Sequence, residues 1–289
     1  MLFIIFKNYI NDQYDYLYSI FFNESIQSCF LAVYSELFLI ITLSLLIVFL
    51  VLIDYNLYYK VILTSLTGKL LIVLYILLFI ITNNNFSNFL IFDNLLIVDN
   101  FTTLVKNILI FCFIITIFIS LNYIKLEKID KYEYFLLVGL SSLGMFTIVS
   151  SNDLITLYLA LEIQSLCFYI LATIKVSNNF STEAGLKYFI LGVFSSGLFL
   201  FGSSFIYGAL GTTNFTEMKL LITNFSYNPT SLVLGIIFVI AALLFKIGAA
   251  PFHMWVPDVY EGVPTIVTTI FAILPKIAIL SLWVRLQLS

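Results

Sequence analysis

The sequence predicts an all-α polytopic membrane protein of about eight transmembrane helices. Three observations carry this. Of 289 residues, 62% are apolar and only 10% are charged, against about 45–50% and about 25% in soluble domains. Mean hydropathy is +1.09, so there are too few polar side chains to cover a water-facing surface. Apolar runs of the ~20 residues that a hydrocarbon core demands recur between charges, Asn clusters, Gly and Pro. Backbone groups cannot stay unpaired at that depth, so each run is a helix. The same arithmetic excludes a disordered chain and a nucleic-acid binder, since the net charge is −3, the pI is about 5.1 and no basic patch is present.

Residues 1–28 differ from the rest of the chain. Leu2–Phe6 is apolar, but Asp12, Asp15 and Glu24 come soon after. The segment has neither the long apolar stretch and small-residue cleavage site of a secretory signal nor the arginines of a transit peptide. It reads as a retained extension lying on or near the membrane interface. Beyond it, apolar runs place helices at roughly 30–53, 68–82, 101–123, 133–151, 154–174, 184–209, 231–250 and 265–286, the seventh continuing past a break to about 260. The second is the shortest. The glycines between Leu191 and Ser204 are spaced for close helix packing.

Lysines set the expected orientation. The first, third and fifth loops with their flanks hold Lys60, Lys69, Lys125, Lys128, Lys131 and Lys175, whereas the termini and the other loops hold Lys7, Lys219 and Arg285. Six against three puts the odd loops inside and both termini outside. Thirty phenylalanines and eighteen tyrosines stand against twelve glycines, five prolines and one arginine, the signature of AT-rich, organelle-type coding. Cys29, Cys112 and Cys167 lie far apart in apolar runs and read as packing residues. With one histidine and scattered cysteines, the chain cannot build a haem, iron–sulfur or zinc site.

Several charges fall inside the apolar runs. An ionisable group at bilayer depth costs at least about 2.5–3.5 kcal/mol, so each is a functional candidate. Glu162 lies eight residues into its run, ~12 Å deep; Lys246 lies fifteen past Ser231, ~22 Å in; Lys276 lies eleven past Thr265, ~17 Å in. Lys187 sits near the start of its run, where it can snorkel to the interface. A buried ion pair that only joins helices is one reading. Helix packing, however, needs no charges, since small residues and dispersion suffice. Charges on three separate helices therefore point to a proton or ion path. Pro251 interrupts the helix that bears Lys246 and leaves backbone groups unpaired, a feature of transporters. Two residues on stands the one histidine, His253, the side-chain type suited to taking up and releasing protons around neutral pH. Pro275 beside Lys276 has two readings, a kink filled by neighbours or one that opens backbone to water. Burial disfavours a lysine's charged form and a nearby carboxylate restores it, so a glutamate that approaches or withdraws would switch a lysine between holding and releasing a proton. Asp258, Glu261 and Pro264 read as a turn between the last two helices.

Three motifs are similar to one family. Leu157-Tyr-Leu-Ala-Leu-Glu162-Ile-Gln-Ser-Leu, Phe245-Lys246-Ile-Gly-Ala-Ala-Pro251-Phe-His253-Met-Trp-Val-Pro-Asp258-Val-Tyr-Glu-Gly and Pro275-Lys276-Ile-Ala resemble the antiporter-like membrane-arm subunits of respiratory complex I. Glu183-Ala-Gly-Leu-Lys187-Tyr-Phe-Ile-Leu-Gly, with Ser195-Ser-Gly, Ile206-Tyr-Gly and Gly211-Thr-Thr-Asn-Phe, is most similar to one particular subunit of that family. The likeness covers about 133–286 and is weaker from residue 30 on, at Glu36, Asp99 and Phe101.

The resemblance implies three leading helices (29–132) and one five-helix antiporter-like repeat (133–289) with a broken seventh helix, forming a proton half-channel. It implies that Glu162, Lys246 and Lys276 are its proton-path residues, that His253 is the histidine after the broken helix, and that Lys187 is a further family lysine. Family members carry a second, inverted repeat, so the expectation is an N-terminal part of a split subunit whose remaining helices lie in another chain. The implied function is proton translocation in the mitochondrial inner membrane. NADH, FMN, iron–sulfur clusters and ubiquinone are expected in other subunits and no cofactor in this chain. The implied partners are other membrane-arm subunits and lipids. Two rival readings are a cation/proton antiporter subunit of the same superfamily and a purely architectural half-subunit.

Overall fold

The computed structural model describes residues 34–53, 60–83, 89–127, 131–224 and 229–288. The expected 1–28 extension, Cys29, Lys7 and Lys128 lie outside the described residues. Among them run helices α1 (Tyr34–Ile53), α2 (Lys60–Thr82), α3 (Asn100–Leu126), α4 (Glu133–Ser150), α5 (Leu154–Ala172), α6 (Asn179–Leu210), α7 (Phe215–Asn224), α8 (Pro229–Ile247), α9 (Trp255–Gly262) and α10 (Thr265–Leu288). Eight of these are long and apolar enough to cross a membrane, all but α7 and α9. One face of each packs inward, as Leu109, Phe113 and Ile117 do on α3, while Leu52, Phe118 and many others stand exposed in the manner of lipid-facing side chains.

Several boundaries depart from the apolar runs, each for a local reason. α2 begins at Lys60 rather than 68 and is not the shortest helix. The polar residues that read as loop are satisfied within the helix, Ser65 Oγ donating to the Ile62 carbonyl at 2.9 Å and Thr67 Oγ1 to that of Thr64 at 2.9 Å. α6 starts at Asn179, because the Asn178 side chain accepts from the Phe180 N–H at 3.1 Å and caps it. Residues 215–224, expected as loop, form α7, capped by Asn214 Oδ1, which accepts from the Thr216 N–H at 3.0 Å. The helical bundle also carries one short hairpin. Strands β1 (Phe89–Ile91) and β2 (Leu96–Val98) pair antiparallel, turning at Phe92, Asp93 and Asn94 with φ of 52°, 50° and 66°. Asp and Asn tolerate this left-handed backbone better than most residues.

The hairpin organises one end of the bundle. The Asn94 carbonyl accepts from Asn152 Nδ2 at 2.8 Å and Asn214 Nδ2 at 2.9 Å, and the Leu95 carbonyl accepts from the Asn152 N–H at 2.9 Å. Asp153 caps α5 through the Ile155 N–H at 2.7 Å and accepts from Thr213 Oγ1 at 2.9 Å. The start of α1, the start of α3 and the end of α10 share this hairpin face, joined by ion pairs Lys106–Glu36 and Arg285–Asp99. On the opposite face Lys175 pairs with Glu127, and hydrogen bonds from Lys175 and Tyr123 hold the Glu127 carboxyl below the usual carboxylate range.

α6 and α8 approach closely, backbone to backbone. A Cβ on Gly202 would lie 2.8 Å from the Gly235 carbonyl oxygen, whereas a Cβ on Gly197 would meet nothing within 4 Å. Gly202 therefore fits the expected close-packing role and Gly197 does not. We expect Gly202→Ala to cost about 1–3 kcal/mol by overpacking, and Gly197→Ala to be neutral or to gain up to about 1 kcal/mol in helix propensity. Thermal unfolding of the two variants side by side in detergent checks this. Equal midpoints would remove the packing role of Gly202.

Candidate functional site

The site begins with the way α8 ends. Gly248 has φ of 73°, its N–H donates to the Phe245 carbonyl at 3.1 Å, and the Ala249 N–H donates to the Leu244 carbonyl at 3.0 Å. That pair of bonds around a left-handed glycine is a Schellman stop. The helix thus ends at Ile247, before Pro251, and the break expected at the proline is set by the glycine. Trp255 from α9 completes the stop, its indole Nε1 donating to the Phe245 carbonyl at 3.1 Å. The Trp255 ring stacks on Tyr188 of α6, centroids 4.9 Å apart, and on Phe245 at 5.8 Å. This aromatic wedge fixes the broken helix against its neighbours. Neither Trp255 nor Tyr188 carries a pattern in the sequence that marks it for this.

The stop places Lys246 in the last turn of α8. The carbonyls of the last turn carry the negative end of the helix dipole, which favours an ammonium group. Glu162 on α5 lines the same narrow gap, too tight to hold a water molecule, together with Tyr158, Leu161, Ser195, Ser196, Phe199, Ala242 and Lys246. Glu162 Oε1 and Lys246 Nζ are both buried there without a hydrogen-bond partner among the described residues. A buried charge without partners is costly, so the pair is held in a state that structure alone does not reward. Ser195 Oγ donates to the Gly192 carbonyl at 2.7 Å and Ser196 Oγ to that of Val193 at 2.9 Å. Their hydroxyl protons are thereby used, and their oxygens remain as acceptors beside the gap.

The other expected residues do not line this gap. Lys276 stands half-buried on α10, which runs unbroken through the buried Pro275. Lys187 is not at the start of its helix but eight residues past Asn179, 45% exposed, bridging Glu183 and Asp258 at 2.9 Å each. Asp258 lies not in a turn but in α9, so the Lys187 pair ties α9 to α6. His253 is exposed in the segment between α8 and α9. Cys167 is buried and Cys112 half-buried.

Two further pairs carry no mark in the sequence as pairs. Glu36 and Lys106 pair across α1 and α3, 4% and 2% exposed. Arg285 of α10 holds Asp99, the N-cap of α3, at 3.1 Å. The signal for Lys106 is the same as that for Lys246, a lone charge within an apolar run.

A bundle of membrane-length helices thus holds a carboxylate and, in the last turn of an interrupted helix, a lysine on one narrow gap, an arrangement chemically suited to passing a proton. Residues 151–289 match the NADH:quinone oxidoreductase/Mrp antiporter transmembrane family. Within it the relatives are specific. The chain is 49% identical over 201 residues to NADH-ubiquinone oxidoreductase chain 2 of Marchantia polymorpha, covering 68% of this chain and 41% of that one. It is 44% identical over 200 residues to NADH-quinone oxidoreductase subunit N of Rhodospirillum rubrum, covering 69% and 41%. In three dimensions it resembles a chain of respiratory complex I from Thermus thermophilus solved with bound aureothin, with a TM-score of 0.71 and 25% identity over 87% of this chain and 52% of that one. The chain is a homologue of the chain 2/subunit N antiporter-like subunits, and it spans about two fifths of the length of the curated relatives it matches.

Proposed function

We propose that this chain moves protons in the membrane arm of NADH:ubiquinone oxidoreductase in the mitochondrial inner membrane, with residues 133–289 as the proton-conducting unit. The burial of Glu162 and Lys246 on one narrow gap, with Glu162 Oε1 and Lys246 Nζ lacking hydrogen-bond partners among the described residues, carries the proposal. NADH oxidation and ubiquinone reduction, with FMN and iron–sulfur clusters, belong to other subunits, which are its partners together with lipids. The AT-rich coding and the plant chain 2 relatives support the mitochondrial setting. Lysine-poor character supports placing the hairpin face, and with it both ends of the described chain, toward the intermembrane space.

In this reading Lys246 is the central proton carrier. Its ammonium is favoured by the end of α8 and by the Glu162 carboxylate, and disfavoured by the apolar wall. A change in the Glu162 charge or position decides whether Lys246 keeps its proton. Lys276 takes the proton onward, Lys187 with Asp258 sets the local field near α9, and His253 exchanges protons beside the break. Glu162→Gln in the assembled complex tests the reading. The shape is kept, the charge is lost, and we expect quinone reduction to persist while proton translocation falls at least about tenfold, the effect of ~1.4 kcal/mol. Full proton translocation in that variant overturns the assignment. Activity found only in a sodium/proton exchange assay, with no associated NADH oxidation, assigns the chain to the antiporters instead.

A further inference from the structure

The ion pair of Glu36 and Lys106 has no part in the path above, yet it is the most deeply buried charged pair among the described residues. Lys106 Nζ donates to Glu36 Oε1. Ser35 Oγ donates to Glu36 Oε2 at 2.6 Å, and Ser150 Oγ at the end of α4 lies 3.4 Å from Oε1. Three helices thus meet at one carboxylate. A purely mechanical joint has no need of it, since apolar residues of similar volume replace buried ion pairs at no loss or with a gain.

Polar residues also lead from the pair toward the surface. Asp99, Thr102 and Lys106 follow one another at spacings of three and four along α3, so they share one face, and Asp99 lies ~10 Å from Lys106 along the axis. Thr102 is fully buried between them, and its Oγ1 accepts from the Asp99 N–H at 2.9 Å. The Asp99 side chain is 31% exposed at the hairpin face. Arg285 closes the stripe over Asp99, and its Nη1 is buried without a partner among the described residues. Arg285 belongs to α10, the helix that carries Lys276.

We propose that Glu36 and Lys106 form a second buried proton-exchange pair, opening to the hairpin face along Thr102 and Asp99 and latched by Arg285. One N–H proton of Lys106 passes to the Glu36 carboxylate, leaving a neutral amine and a carboxylic acid. The amine then takes a proton from the Asp99 carboxylic acid, and the Glu36 acid returns its own along Thr102 to the Asp99 carboxylate so formed, so that one proton is exchanged and the ion pair is restored. Because α10 bears both Lys276 and Arg285, a shift of that helix is felt at both sites. This inference rests on the proton-translocating reading above.

Lys106→Arg tests it in the assembled complex. Arginine keeps the charge and the ion pair but does not release a proton. A mechanical joint tolerates that change and also the apolar double variant Glu36→Leu with Lys106→Met. The proton-exchange pair does not: Lys106→Arg assembles and supports quinone reduction, but proton translocation is lost. Turnover-induced infrared difference spectra show a carboxylic acid band that Glu36→Gln removes and Glu36→Asp retains in shifted form. Proton translocation retained in Lys106→Arg or in the double variant overturns the proposal, as does a carboxyl band unchanged by Glu36→Gln. Glu162→Gln measured in the same membranes keeps the two ideas separate. If it loses translocation while Lys106→Arg keeps it, only the second pair falls; if it keeps translocation, the proposed function itself falls.

Discussion

Lys246→Arg is expected to abolish proton translocation as completely as Lys246→Ala, while both variants still assemble. The two substitutions separate a charge from a proton carrier. Alanine removes the ammonium and leaves Glu162 buried with no positive neighbour on its gap, a penalty of several kcal/mol that the carboxyl avoids by taking up a proton. Arginine preserves the positive charge at the end of α8 and its attraction to Glu162, but its guanidinium stays protonated under all physiological conditions. An ion pair that merely holds α5 against α8 would therefore survive arginine and fail with alanine. A site that must give its proton up fails with both, and the loss falls on translocation rather than assembly. Proton uptake by reconstituted vesicles, measured beside NADH-driven quinone reduction, is the readout. Translocation restored by arginine would show that Lys246 acts as a fixed charge.

Much of this arrangement is legible in the sequence because bilayer physics makes charges conspicuous. Glu162, Lys246 and Lys276 stand out as lone polar residues within apolar runs, and the eight spans stand out for the same reason. Pairings are not legible. Lys106 and Glu36 are 70 positions apart, as are Asp99 and Arg285 by 186 and Lys187 and Asp258 by 71. No local pattern encodes which helix a charged face will meet. The Asn94–Asn152–Asn214 cluster is hidden in the same way, because each member alone reads as a loop residue. Helix starts are missed where polar side chains bond back to their own helix, as Ser65 and Thr67 do, since such residues look like loop until their hydroxyls are placed. The break in α8 is legible, but composition gives it to the wrong residue. Proline announces an interruption from composition alone, whereas the glycine stop depends on a backbone angle.

That reassignment carries the second large effect. Gly248→Ala is expected to destabilise the subunit by about 1–2 kcal/mol, the cost of a left-handed backbone for a residue with a Cβ. The new methyl group would also lie 2.5 Å from Val256 Cγ2, which must give way. The functional loss should exceed the stability loss. If the alanine instead drives α8 on past Ile247, the Gly248 N–H leaves the Phe245 carbonyl for the Leu244 carbonyl, four residues back, and Trp255 loses its place against the helix end. Lys246 then sits in the interior of a helix instead of in its last turn, and the dipole that favours its ammonium moves away from it. Pro251→Ala leaves the Gly248 stop intact, so it should retain most translocation. Thermal midpoints and proton translocation measured for both variants decide between the two residues. A Pro251→Ala complex more impaired than Gly248→Ala would return the break, and with it the setting of Lys246, to the proline.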